Sequence, residues 1–216
     1  MAVSSLALSK VNPDWFQLFP DEFSEVATLI DALSDSAAKS GELLTPQAEN
    51  ILRVFETPPK QVKVLIVGQD PYPTLADATG LAFSVERDSR LPKSLQNIFK
   101  ELASDLAKPL RSDGNLIDWQ SQGVFLLNRT LTTTVGNSLS HKNLGWEEFT
   151  EKIIAYLANC NAVGLLMGKS AAELAPHFKK CVITAHPSPL SAYKGFFNSK
   201  PFSQMDQLLE NPIRWS

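Results

Sequence analysis

The sequence predicts an α/β fold: a single domain with a central four-stranded parallel sheet flanked by helices on both faces. Three observations lead there. Four short apolar runs, at 62–67, 124–127, 162–167 and 181–184, are continuous rather than alternating, as strands buried on both faces are. Amphipathic segments separate these runs, the βαβ rhythm of a parallel sheet. The chain has 216 residues, 44% hydrophobic and 20% charged, which suits one sizeable core.

The elements follow in order. A helix is expected over 23–33, where Phe23, Val26, Ala27, Ile30 and Leu33 share a face. The polar stretch 36–41 divides this N-terminal helical segment, 1–44, from an α/β core over 45–216. A second helix is expected over 45–56, with Thr45 as N-cap, Pro46 at its first position and Pro58-Pro59 beyond its end. Ser94 is expected to cap a helix carrying Leu95, Ile98, Phe99, Leu102 and Leu106 on one side. Trp146, Phe149, Ile153, Tyr156 and Leu157 mark another helix before the third strand.

Several function classes lose support at this stage. The first ten residues lack a basic segment followed by an apolar one, so no signal peptide is expected, and no apolar run reaches membrane-spanning length. A soluble cytoplasmic protein is expected. The only cysteines, Cys160 and Cys181, and the only histidines, His141, His177 and His186, show no metal-ligand spacing. No metal is expected, and both thiols are expected reduced and buried. Asn128-Arg129-Thr130 fits a glycosylation sequon but closes an expected buried strand, so it is read as chance. The formal net charge of −3 argues against a protein basic all over, while leaving room for a local basic patch.

Parallel sheets bind ligands beyond the carboxyl ends of their strands. Asp70 follows the first strand, Asn128 ends the second, Gly168-Lys169-Ser170 follows the third, and His186 opens the run after the fourth. Asp70 sits between Gly68 and Pro71, the setting of a turn former as well as of a fixed carboxylate. His186 is a lone histidine in a loop stiffened by Pro187 and Pro189. A carboxylate and an imidazole on one edge suit a reaction that develops both a cation and an anion, as cleavage of a glycosidic bond does. Asn128 offers a donor and an acceptor for a base edge. From the residues alone the reading stays open between a hydrolase and a transferase. Gly168-Lys169-Ser170 suggests a phosphate-binding P-loop, but that motif needs a glycine at 163, where Val163 stands. Lys169 is still placed to meet a phosphate.

Six segments carry a resemblance. Val67-Gly68-Gln69-Asp70-Pro71-Tyr72, Gly80-Leu81-Ala82-Phe83-Ser84-Val85, Leu126-Leu127-Asn128 and the HPSPLS run at 186–191 resemble signature segments of the uracil-DNA glycosylase family. Gly145-Trp146-Glu147-Glu148-Phe149-Thr150 and Gly195-Phe196-Phe197 resemble two more; the resemblance spans about 45–215, with the segments in family order.

The resemblance implies a monofunctional glycosylase that flips uracil from single- or double-stranded DNA and hydrolyses its N-glycosidic bond, with no metal or cofactor. Asp70 would position water and stabilise the sugar cation, and His186 would donate to uracil O2. Asn128 would read the base edge, Phe83 would stack on it, Tyr72 would exclude the thymine methyl, and Gln69 would add hydrogen bonding. Leu190 would enter the duplex as an exposed tip, while Ser94, Ser188, Gly168 and Lys169 would grip the backbone. Tyr193 and Lys194 would join the DNA face, with Lys142, Lys169, Lys194 and Lys200 as its basic groups. A monomer is implied, as is a DNA-mimicking inhibitor protein as a partner.

Two departures stand out: Pro73 occupies a position where the commoner pattern has histidine, and 74–77 replaces a loop richer in glycine and proline. They admit a glycosylase of broadened base choice. A DNA-binding scaffold without activity is disfavoured, because it needs none of Asp70, Tyr72, Phe83, Asn128 and His186.

Overall fold

A computed structural model describes residues 2–215. The helices are α1 (Val3–Leu8), α2 (Pro13–Leu18), α3 (Pro20–Ser40), α4 (Lys93–Leu106), α5 (Ile117–Gln120), α6 (Trp146–Asn159), α7 (Lys169–Ala172) and α8 (Pro201–Leu208). The strands are β1 (Leu44–Thr45), β2 (Val64–Gly68), β3 (Val124–Asn128), β4 (Thr133–Thr134), β5 (Val163–Met167) and β6 (Cys181–Thr184). β3, β2, β5 and β6 lie side by side, all parallel, which is the expected four-stranded sheet. Every residue of β2, β3 and β5 is buried, so their continuous apolar character is the burial of both faces.

Strand order fixes where the helices go. The chain steps from β2 to β3 in one direction and from β3 to β5 in the other. Right-handed crossovers therefore put α4 and α5 on one face and α6 on the opposite one. Aromatic residues fill both interfaces. Trp15, Phe23, Phe55, Phe125 and Phe149 interlock on the α6 side at ring distances of 5.3–5.6 Å. Trp119, Phe202 and Trp215 interlock beside α4 and α8 at ring distances of 5.2–6.2 Å. One hydrophobic cluster runs from Ala7 to Trp215, so the N-terminal helices are part of the core.

Two expected elements differ. The helix expected over 23–33 runs Pro20–Ser40, through the stretch read as a divider, because Pro20 suits a first helical turn and only Gly41, at φ +72°, ends it. No α-helix forms over 45–56. Thr45 pairs in β1 with Thr133, a cis Thr45–Pro46 bond follows, and two short 3₁₀ turns replace the helix. Ile51, Leu52, Val54 and Phe55 are all buried while Gln47 and Glu49 are exposed, so tertiary packing of the second half overrides the segment's helical propensity. The cysteines are free, as expected, but Cys160 is exposed at the end of α6 and Cys181 half-buried on edge strand β6, rather than buried in the core.

Candidate active site

The carboxyl ends of β2 and β3 are welded together. The N–H of Arg129 donates to the Gly68 carbonyl at 3.0 Å, and that of Thr130 to the Gln69 carbonyl at 3.0 Å. The side chain of Asn128, 7% exposed, lies across Gly68. A Cβ on Gly68 would collide with Asn128 Oδ1, so the glycine is required by this close approach.

A cavity of about 160 Å³ opens there, lined by Gln69, Asp70, Tyr72, Pro73, Phe83, Ser94, Asn128, Ser138 and His186 among others. It is smaller than the roughly 300 Å³ at which sites for drug-sized ligands begin, and fits a group no larger than one ring system. A larger cavity of about 420 Å³ lies at the opposite end of the strands, around Lys63, Asn161, Lys179 and Glu210, with no histidine in its lining.

Tyr72, Asp70 and His186 are each held by hydrogen bonds to neighbouring protein groups. The Tyr72 hydroxyl donates to the Phe83 carbonyl at 3.0 Å, which locks the two aromatic residues together. Burial, and secondarily the charge of Asp77, pushes the Tyr72 phenol up, so it stays a neutral donor. Phe83 has φ +66°, a strained value for a bulky residue, and the N–H of Ala82 anchors the segment to the Leu126 carbonyl at 2.9 Å. Asp70 Oδ2 accepts from Ser138 Oγ at 2.6 Å and from the N–H of Leu139 at 2.8 Å.

His186 is fixed as a neutral imidazole. Its Nδ1 accepts from the N–H of Ser188 at 3.0 Å, which leaves Nε2 as the protonated nitrogen. Burial holds its pKa below the usual histidine value. The loop carrying it is braced by Ser191 Oγ donating to the His186 carbonyl at 2.8 Å and by Asn97 Nδ2, on α4, donating to the Pro187 carbonyl at 2.8 Å. Gly168 packs against the imidazole so tightly that a Cβ there would meet His186 Cβ at 2.9 Å.

Among the other expected residues, Ser94 lines the cavity but does not cap α4: Pro92 is the N-cap, no side chain caps the helix, and Ser94 is its second residue. Gly168 and Lys169 line a neighbouring cavity of about 190 Å³ that shares Gly68, Gln69 and His186 with the first. Leu190 is 85% and Tyr193 87% exposed, the Tyr193 ring resting on Phe197 at 5.0 Å. Lys194 is exposed beside them; Lys142 and Lys200 are also exposed, and the backbone N–H of Lys200 donates to the buried carboxylate of Glu101 at 2.9 Å. Sequence reasoning missed Ser138, Leu139 and Asn97, which lie outside the strand-end segments and carry no motif. Among the described residues, no group of three or more metal-binding side chains forms.

An acid, an amide and an imidazole around a ring-sized cavity at a parallel sheet's carboxyl edge form a candidate site of the kind a hydrolase acting on a small planar group needs. The chain belongs to the uracil DNA glycosylase superfamily, whose profile matches residues 55–210. It is 44% identical over 210 residues to a uracil-DNA glycosylase of Thermobifida fusca, covering 93% of this chain and 92% of that one. A uracil-DNA glycosylase of Mycobacteroides abscessus is 45% identical over 215 residues, covering 95% of each. Among solved structures, mimivirus uracil-DNA glycosylase superposes with a TM-score of 0.84 at 27% identity, covering 97% of this chain and 88% of that one. A variant of the mimivirus protein in complex with UGI superposes with a TM-score of 0.85 at 26% identity, covering 95% and 89%.

Proposed function

We propose that this chain excises uracil from DNA by hydrolysing the N-glycosidic bond, the first step of base excision repair. The observation that carries this is the convergence of Asp70, Tyr72, Phe83, Asn128 and His186 on one ring-sized cavity. Uracil, flipped from the duplex, stacks on Phe83 and pairs its edge with Asn128, while Tyr72 fills the space a C5 methyl would need. As the bond from C1′ to the base nitrogen breaks, the sugar becomes cationic and the base anionic. Asp70 faces the cation and orients a water whose oxygen bonds C1′ and whose proton passes to the carboxylate. His186 Nε2–H donates to uracil O2 as the anion forms; a fixed donor of this kind is worth on the order of 3 kcal/mol in the transition state.

Protein groups and water suffice for these steps, so the reading includes no metal or cofactor. Gln69 lines the same cavity. Ser94, Gly168, Lys169, Ser188, Leu190, Tyr193 and Lys194 form the DNA face in this reading. It treats 1–216 as one glycosylase domain acting as a cytoplasmic monomer, and UGI-type inhibitors as competitors for that face, as the mimivirus complex suggests. The test is release of free base from oligonucleotides carrying uracil, thymine or 5-substituted uracils. Uracil alone should be released; no uracil release by the intact chain overturns the reading.

A further inference from the structure

We infer that Ser138 is a positioning residue for the reaction, holding the Asp70 carboxylate in the orientation that binds water. The inference rests on the proposed uracil excision. A carboxylate is free to rotate about its terminal torsion, because that torsion has broad, shallow wells. Here two donors fix it, Ser138 Oγ at 2.6 Å and the Leu139 N–H at 2.8 Å. Both go to the same oxygen, Oδ2, so Oδ1 is the oxygen left for water. The segment that supplies them is 68 residues away in sequence and belongs to a different part of the fold.

That segment is itself rigid. It leaves β4, which pairs with β1, and the N–H of Val135 donates to the Leu43 carbonyl at 2.8 Å. The N–H of Gly136 donates to the Pro73 carbonyl at 2.8 Å, so the loop is tied to the same turn that carries Asp70. Ser140 Oγ accepts from the N–H of Thr134 at 2.7 Å, and Thr133 Oγ1 donates to the Asn137 carbonyl at 2.7 Å. Leu139 is held at φ +62°, a left-handed value that costs energy and that aims its N–H at Asp70. Strain of this kind persists where the surroundings over-determine the backbone.

The two donors are not equivalent. Any residue at 139 except proline supplies the backbone N–H, whereas the hydroxyl exists only because 138 is serine. Pro73 lines this part of the cavity and has no side-chain donor, so Ser138 is the hydroxyl that reaches Asp70 from its side. In the free protein Ser138 is exposed to water. DNA closing over the site would remove that water and strengthen the bond when the chemistry occurs.

The test compares wild type, Ser138→Ala, Ser138→Thr and Asp70→Asn as full-length proteins, measuring kcat and KM on a single-stranded uracil oligonucleotide together with thermal midpoints. Ser138→Ala should lower kcat about tenfold with KM within about twofold, as expected for an interaction used in the transition state. Ser138→Thr, which keeps the hydroxyl, should restore most of the loss, and thermal midpoints should match. In an Asp70→Asn background Ser138→Ala should have no further effect, since it acts through that carboxylate. If Asp70→Asn is inactive while Ser138→Ala keeps wild-type kcat, this inference alone is overturned. A loss that Ser138→Thr does not recover, or one confined to KM, overturns it equally. If wild type releases no uracil, the parent reading fails and this one with it.

Discussion

The floor and the rim of the site are built on opposite principles. On the floor, Asp70, Tyr72 and His186 each have a hydrogen-bonded protein partner, and Asn128 is 7% exposed. On the rim, Leu190 and Tyr193 leave 85% and 87% of their surface in water, on a loop whose backbone is tied at the His186 and Pro187 carbonyls. An exposed leucine has little to gain there unless a partner covers it. The floor is organised before any ligand arrives; in the proposed reading the rim is completed by the DNA. Chemistry should therefore respond to floor substitutions whatever the form of the DNA, while rim substitutions should depend on how the base is presented.

The largest effect belongs to the floor. Asp70→Asn keeps the shape and removes the charge that, in the proposed reaction, faces the developing sugar cation, and should lower kcat on the order of a thousandfold, on single and double strands alike. Single-turnover rates on both substrates check it, and a loss limited to duplex would move Asp70 from floor to rim. Next comes Tyr72→Ala. The phenol is pinned by its bond to the Phe83 carbonyl, so it cannot swing aside for a methyl group. Its removal should cut discrimination against thymine by roughly a hundredfold, read as thymine release from ordinary duplex DNA. Unchanged discrimination would mean that another group bars the methyl.

The same contrast governs what was legible in the sequence. The sheet was legible because a short, continuous apolar run bounded by turn residues fits little except a strand buried on both faces, and strand ends then located Asp70, Asn128 and His186 without any contact being known. The segment 45–56 was misread because proline and threonine at its start fit a helix as well as they fit β1, and pairing with Thr133 decides between them only in three dimensions. Ser94 is not the cap because α4 already begins at Lys93, with Pro92 in the N-cap place. Ser138 and Asn97 were invisible because a hydroxyl or amide that works through a distant partner leaves no local pattern; their partners are 68 and 90 residues away. The resemblance supplied uracil and DNA, which the strand-end geometry alone does not specify.

The rim carries smaller effects. Leu190→Ala should lower kcat/KM about tenfold on duplex DNA, where a flipped base leaves a gap costing a few kcal/mol, and about twofold at most on single strands. Equal losses on both substrates would erase the distinction between floor and rim. Lys194→Glu should weaken duplex binding and reduce the slope of log affinity against log salt by about one unit. An unchanged slope would remove Lys194 from the backbone contacts and leave Lys169, which lines the neighbouring cavity, as the better candidate.

The smallest effect tests how firmly the floor holds one proton. Burial depresses the His186 pKa, and the Ser188 N–H already occupies Nδ1, so a second proton has no place to go without breaking that bond. Catalysis that needs a neutral imidazole should persist as pH falls through about 6.5, where an ordinary histidine protonates, and fail only below it. The same depression makes a stability contribution of definite sign. Above the unfolded value both states are neutral and the contribution is fully present. As pH falls toward and through the lower folded value, the unfolded chain binds a proton that the folded one refuses, and stability drops. His141, buried and likewise depressed chiefly by burial, adds to the slope in the same direction. His186→Gln should flatten the fall in thermal midpoint on the acid side without abolishing it, since His141 remains. An acid limb of kcat at the ordinary histidine pKa, unmoved by the burial of the ring, would show that the floor does not hold His186 neutral, and the leaving-group role would have to pass to another donor.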